Sequence, residues 1–217
     1  MDDLFAHLDP APPHREALAE GAVVLRHWGA ARAKEFLAGI EAIAAQAPFR
    51  HMVTPGGFSM SVAMTNCGPL GWVTDRRGYR YAPLDPESGQ PWPAMPEAWR
   101  QFAVAAAAEA GFPGFQTDAC LINRYAPASK MALHQDKDEA DLAAPIVSLS
   151  LGLPAVFQFG GLQRGDPVLR VPLMEGDVVV WGGPSRLRFH GILPVKAQPG
   201  GAACRYNLTF RQARITS

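Results

Sequence analysis

The 217-residue sequence has no excess of charge of either sign: 20 basic and 20 acidic side chains leave a formal net charge of zero. A chain that binds nucleic acid through its overall field is strongly basic, so any such role here must rest on a local patch. Cysteine is scarce. Cys67, Cys120 and Cys204 are odd in number and none lies in a C-x-x-C pair, which argues against a disulfide framework and for buried, reduced thiols in a reducing compartment. Long hydrophobic runs are missing too. No stretch approaches the roughly 20 apolar residues that cross a bilayer, and the opening Met-Asp-Asp-Leu-Phe lacks the basic and hydrophobic regions of a secretory signal. The expectation is a cytoplasmic protein with no membrane partner.

What is present is an ordinary globular composition, 48% hydrophobic and 18% charged, with 21 glycines and 20 prolines that favour many turns. Residues 1–20 read as a loose, proline-punctuated leader. GAVVLR (21–26) reads as a strand. Residues 30–46 carry Phe36, Leu37, Ile40 and Ile43 at helical spacing. Residues 50–93 mix Gly, Pro, Arg and aromatic residues with strand-like pieces and read as a hairpin-rich lobe. A second helix is expected over about 96–110, after Pro96 and before Gly111. From 118 onward come eight short β-type runs separated by turns, the pattern of a jelly roll. The fold class is therefore α+β, with helices of the first half packed outside a β body.

Two residue patterns in that body carry chemistry. His134 and Asp136 flank Gln135 in one β-type run, and residues two apart on a strand share a face. His190, in RFHGI, offers a third ligand from another strand. Two histidines and one carboxylate leave positions open and suit non-haem iron. The triplet alone is common by chance, and zinc with a bound water suits the same ligands. The second pattern is RYNLTFR. Tyr206, Leu208 and Phe210 alternate with Arg205, Asn207, Thr209 and Arg211. An exposed strand face looks like this. So does a clamp: six residues span ~20 Å, and two inward-leaning arginines leave a gap of ~6–8 Å, room for a short dicarboxylate such as 2-oxoglutarate. Asn123 and Tyr125 alternate on a further strand and can reach the same ligand.

Several longer stretches go beyond such patterns: MVTPGG, SVAMTNCG, DACLINRYAP, LHQDKDE, GDVVVWGG and CRYNLTFRQA. From about Gly21 to Gln212 the sequence resembles the bacterial AlkB family of iron(II)- and 2-oxoglutarate-dependent dioxygenases, which repair alkylated DNA. The resemblance implies a single dioxygenase domain over 21–217 with a double-stranded β-helix core at about 118–212 and a nucleotide-recognition lid at about 50–93. It implies iron on His134, Asp136 and His190, and 2-oxoglutarate on Asn123, Tyr125, Arg205, Asn207 and Arg211, with molecular oxygen as the second co-substrate. Trp72 and His134 would sandwich the base, with Met64, Tyr79, Asp138 and Arg164 around it and Thr54 and Lys130 completing the substrate side. The implied partners are single-stranded DNA, flipped bases of duplex DNA and, by extension, RNA, met by a monomer. The sequence departs from the family pattern at Phe58, where a tyrosine reaches the nucleic-acid backbone, and at Met131 and Ala132.

Taken one by one, the residues allow blander roles. Trp72 alone reads as core packing, and Asp138, inside Asp-Lys-Asp-Glu, as a solvated carboxylate. Arg76, Arg77, Arg80, Lys130 and Lys137 read as a local basic surface or as ordinary solvated charges. Two rival functions use the same fold: a dioxygenase acting on proteins or small metabolites, and a zinc hydrolase or binding module.

Overall fold

Period-two runs become strands and the two helical stretches become helices. The structure, a computed structural model, describes residues 12–214. In chain order the elements are β1 (His14–Ala19), β2 (Ala22–Arg26), α1 (Ala33–Gln46), β3 (Arg50–Val53), β4 (Ser59–Cys67), β5 (Gly71–Asp75), β6 (Gly78–Ala82), α2 (Glu97–Glu109), β7 (Ala119–Tyr125), β8 (Met131–His134), β9 (Ile146–Gly152), β10 (Ala155–Phe159), β11 (Leu169–Leu173), β12 (Val178–Trp181), β13 (His190–Ile192) and β14 (Arg205–Arg211). A short 3-10 turn, Ala30–Arg32, leads into α1. Each of the eight runs expected after residue 118 is a strand.

The strands form an eight-stranded sheet in the order β1-β2-β12-β9-β14-β7-β4-β3, a four-stranded sheet in the order β11-β10-β13-β8, and the separate hairpin β5-β6. Two large apolar cores follow among the described residues. In one, Phe36, Ile40 and Ile43 of α1 and Trp99, Phe102 and Ala103 of α2 pack on Leu149, Leu208 and Phe210 of the large sheet. In the other, Met64, Val179 and Trp181 of the large sheet meet Phe157, Val171 and Ile192 of the small one. Burying each large side chain is worth about 1.5–3 kcal/mol. Gly39, in mid-helix, lets α1 close on α2: a Cβ there would lie 2.5 Å from the Trp99 ring. Among the described residues no helix is long and apolar enough to cross a membrane.

Three adjacent strands of the large sheet set the site. β14 lies between β7 and β9, with Asn207 opposite both Asn123 and Ser150, and Thr209 opposite Ser148. Leu208 and Phe210 join the helix-side core. The other face carries Arg205, Asn207, Thr209 and Arg211, all buried, so β14 is covered on both faces and the exposed-face reading is excluded. Burying such a row is costly unless its groups are used.

The structure departs from expectation in several places. Residues 1–11, much of the expected leader, lie outside the described residues, but His14–Ala19 pairs with β2 as an edge strand. The 50–93 stretch is not one lobe: β3 and β4 extend the large sheet, leaving β5-β6 as a two-stranded sheet of its own. The described cysteines are free, and Cys204 is only half-buried.

Candidate active site

Both histidines come from the small sheet, where β13 pairs antiparallel with β8 and His190 stands directly opposite His134. Their rings are 4.4 Å apart, centre to centre. Asp136 is not on β8, which ends at His134. The expected strand does not continue because later residues take its backbone and side chains: Arg186 donates to the Asp136 carbonyl at 2.6 Å, and Gln135 donates to the Leu187 carbonyl. The turn still delivers the carboxylate. Asp136 lies 3.5 Å from His134 Nε2 and 3.8 Å from His190 Nε2, and one atom from each of the three falls within 4.8 Å of the others.

The second nitrogen of each ring settles the chemistry of this trio. His134 Nδ1 lies 2.9 Å from the Ala132 carbonyl and His190 Nδ1 lies 3.0 Å from the Arg188 carbonyl. A carbonyl only accepts, so both Nδ1 atoms carry a proton, and in the neutral form of each ring the Nε2 lone pair faces Asp136. That is the tautomer a metal ligand needs, fixed by backbone. Burial, then the neighbouring His134, pushes His190 down to about 4. For His134 burial opposes the charge, but the hydrogen bond and negative charge of Asp136 outweigh it and raise its pKa. Asp136 itself resists protonation: burial opposes its charge, yet Arg211 and both histidines hold it well below the usual carboxylate range.

The polar row of β14 supplies the second subsite. Arg205 is 1% exposed, lies over the Tyr125 ring and donates to Ser150 Oγ at 3.0 Å. Its Nε and Nη1 have no partner, and burial lowers its pKa. A buried guanidinium with two unused donors calls for an anion. Asn123 Oδ1 is also unpartnered, while Asn207 is held by Ser148, Leu149 and Thr209. The residues therefore fit a carboxylate ligand beside a metal. The symmetric two-arginine clamp is not what the structure has: Arg211 already grips Asp136 at 2.6 Å and lies 3.3 Å from Glu139. It works on the metal carboxylate, and Arg205 alone presents free donors.

Above the metal trio stands the β5-β6 hairpin. Trp72 and Tyr79 stack with their ring centres 5.7 Å apart, and Trp72 Nε1 donates to Asp138 at 2.9 Å. Asp138 thus faces the mouth although no strand carries it there. Arg164 spans the other rim, donating to the Leu133 carbonyl and lying over Phe189. A cavity of about 580 Å³ joins all these residues, including Met64, to the metal trio and the β14 row. Thr54 and Lys130 do not line it. Thr54 Oγ1 caps its own turn by accepting from the Phe58 amide, and the Lys130 backbone is tied to Ser61. The expected basic surface is thinner than its sequence: Arg77 and Arg80 both pair with Asp75. Trp181, 4.8 Å from the His190 ring, and Ser148 line the cavity without a prior signal; each sits in an apolar strand run that hides its role.

Two histidines and one carboxylate gathered in a jelly roll define a class of metal site, and the family comparison agrees: residues 21–211 match the model of the 2OG-Fe(II) oxygenase superfamily, to which the chain belongs. Within it the chain is 61% identical over 98% of both sequences to the alpha-ketoglutarate-dependent dioxygenase AlkB of Escherichia coli (strain K12), which places it in the bacterial AlkB family. It is also similar, at 31% identity over 66% of this chain and 38% of the other, to the DNA N(6)-methyladenine demethylase ALKBH1C of Arabidopsis thaliana. The solved structure of OsALKBH1 superposes with a TM-score of 0.81 at 27% identity, covering 92% of this chain and all of that one.

Proposed function

We propose that the protein removes N-alkyl groups from damaged nucleic-acid bases, 1-methyladenine and 3-methylcytosine above all, in DNA and also in RNA. The observation that carries this is one cavity with a metal trio and an arginine with two unused donors at its floor and stacked aromatics with a carboxylate at its mouth. The similarity to the AlkB dioxygenase and to a DNA demethylase supports the same reading.

When bound, iron(II) with 2-oxoglutarate and oxygen supplies the oxidation that hydroxylates the N-alkyl carbon, after which the base is released with loss of an aldehyde. His134, Asp136 and His190 would hold the metal. Arg205, beside Tyr125, would take a carboxylate of the co-substrate, and Asn123 and Asn207 line the same cavity. Trp72 and Tyr79 offer a flat surface to a base taken out of its stack, and Asp138 offers a negative charge. A target atom inside a duplex is out of reach of a cavity floor, so the base enters flipped, and single strands are favoured because their bases are already unpaired. The β5-β6 hairpin serves as the recognition lid.

Histidine and carboxylate variants test the reading. His134→Ala and Asp136→Ala are expected to keep the fold and lose oxygen-dependent succinate release with a methylated oligonucleotide. Near-normal turnover by either variant with added iron(II) would reject the ligand assignment.

A further inference from the structure

Beneath the metal carboxylate lies a buried cluster that the proposed chemistry leaves unused. Glu139 is 7% exposed and its carboxylate touches three partners from three parts of the chain. Oε1 accepts from Tyr81 Oη of β6 at 2.6 Å and lies 3.3 Å from Arg211 Nε of β14. Oε2 accepts from Arg186 at 2.9 Å. The two arginines in turn both hold Asp136, Arg211 by the carboxylate at 2.6 Å and Arg186 by the backbone carbonyl at 2.6 Å.

The charges decide what this arrangement does. Asp136 and Glu139 carry two negative charges, and Arg186 and Arg211 two positive ones, all desolvated. Without the Glu139 carboxylate, Arg211 would have Asp136 as its sole anionic contact, and the cluster would carry a net positive charge a few ångströms from an incoming dication. With that carboxylate in place, the charge of Arg211 is shared between two acidic side chains and part of Asp136 stays available. The same carboxylate is tied by Tyr81 to the hairpin that bears Trp72.

We propose that Glu139 is a positioning residue: it divides the grip of Arg211 so that Asp136 can take a divalent cation, and it anchors the β5-β6 hairpin to the metal floor through Tyr81. This rests on the metal-site reading given above. Partners behind a metal ligand typically change metal affinity by about 10- to 100-fold when mutated, and Glu139 touches Asp136 through two of them.

The test uses manganese(II), an air-stable probe, titrated by calorimetry into the full chain, with melting temperatures to confirm folding. Wild type should bind and His134→Ala should not; if both behave alike, the metal site itself is wrongly assigned. Given that difference, Glu139→Gln should weaken manganese binding about 10-fold or more. Wild-type affinity in a folded Glu139→Gln would overturn the positioning role. Tyr81→Phe keeps the charge and cuts the tether, and it remains informative even if the glutamine variant fails to fold. It should bind manganese within about twofold of wild type, while amides of residues 71–82 lose hydrogen-exchange protection and KM for a methylated oligonucleotide rises more than kcat falls. Unchanged protection and KM in Tyr81→Phe, or a metal affinity that falls with them, would overturn the proposal.

Discussion

Single atoms decide the roles of the site residues. Arg205 has two buried nitrogen donors with no partner, whereas Arg211 is already engaged by Asp136. The two arginines of one strand face are therefore not equivalent. Arg205→Gln should raise KM for 2-oxoglutarate by about thirtyfold or more, since removing one partner of a buried charge pair costs about 2–5 kcal/mol; a KM unchanged from wild type would contradict the co-substrate role. At the mouth, Asp138 accepts from Trp72 and is otherwise exposed, close to where a base would stack. Methylation at the pairing edge makes adenine or cytosine cationic at neutral pH, and a carboxylate attracts a cation far more than a neutral base, the more so once a stacked base displaces water from it. Asp138→Asn should thus lower kcat/KM for 1-methyladenine and 3-methylcytosine much more than for neutral 1-methylguanine or 3-methylthymine. Equal losses on both classes would remove the charge-selecting role.

Elements explain why part of this was legible in the sequence and part was not. β7, β9 and β14 are buried on both faces, but one face of each lines a polar cavity, so polar residues still recur at period two and point to Asn123, Tyr125, Arg205 and Arg211. His14–Ala19 carries no such signal, because an edge strand with mostly exposed side chains needs no apolar face. The expected path of residues 134–138 failed for a longer-range reason: Arg186, fifty positions away, takes the Asp136 carbonyl, and no local pattern encodes that. Glu139 was hidden the same way, since in Asp-Lys-Asp-Glu it looks like any solvated acid and only the fold buries it. Helix packing gives a prediction at this scale. Gly39→Ala should gain about 1 kcal/mol in helix propensity, but a methyl 2.5 Å from the Trp99 ring overpacks the α1–α2 contact at a cost of about 1–3 kcal/mol. Urea unfolding should show a net loss of stability; a more stable variant would mean that α1 shifts freely on α2.

For the whole molecule, zero net charge leaves recognition to the cavity rather than to a global field. Arg77 and Arg80 are paired with Asp75, so nucleic-acid affinity should be modest and salt-sensitive only through a few phosphate contacts. Metal loading is linked to pH through His134. Its pKa is raised in the metal-free protein and the metal needs the neutral ring, so binding should release protons. Affinity should fall as pH drops through that raised value and level off above it. His190, pushed down to about 4, is already neutral and adds no dependence near neutrality. Calorimetry in two buffers of different ionisation enthalpy counts the protons released; none at neutral pH would contradict this account of His134. The central claim is tested most directly by the mass of a single-stranded oligonucleotide carrying one 3-methylcytosine, incubated with the protein, iron(II), 2-oxoglutarate and oxygen. The account predicts a product lighter by one methylene unit, formed only when all three are present and with one succinate released per methyl group lost. An unchanged oligonucleotide mass, with succinate released instead on a peptide or small-metabolite substrate, would contradict it.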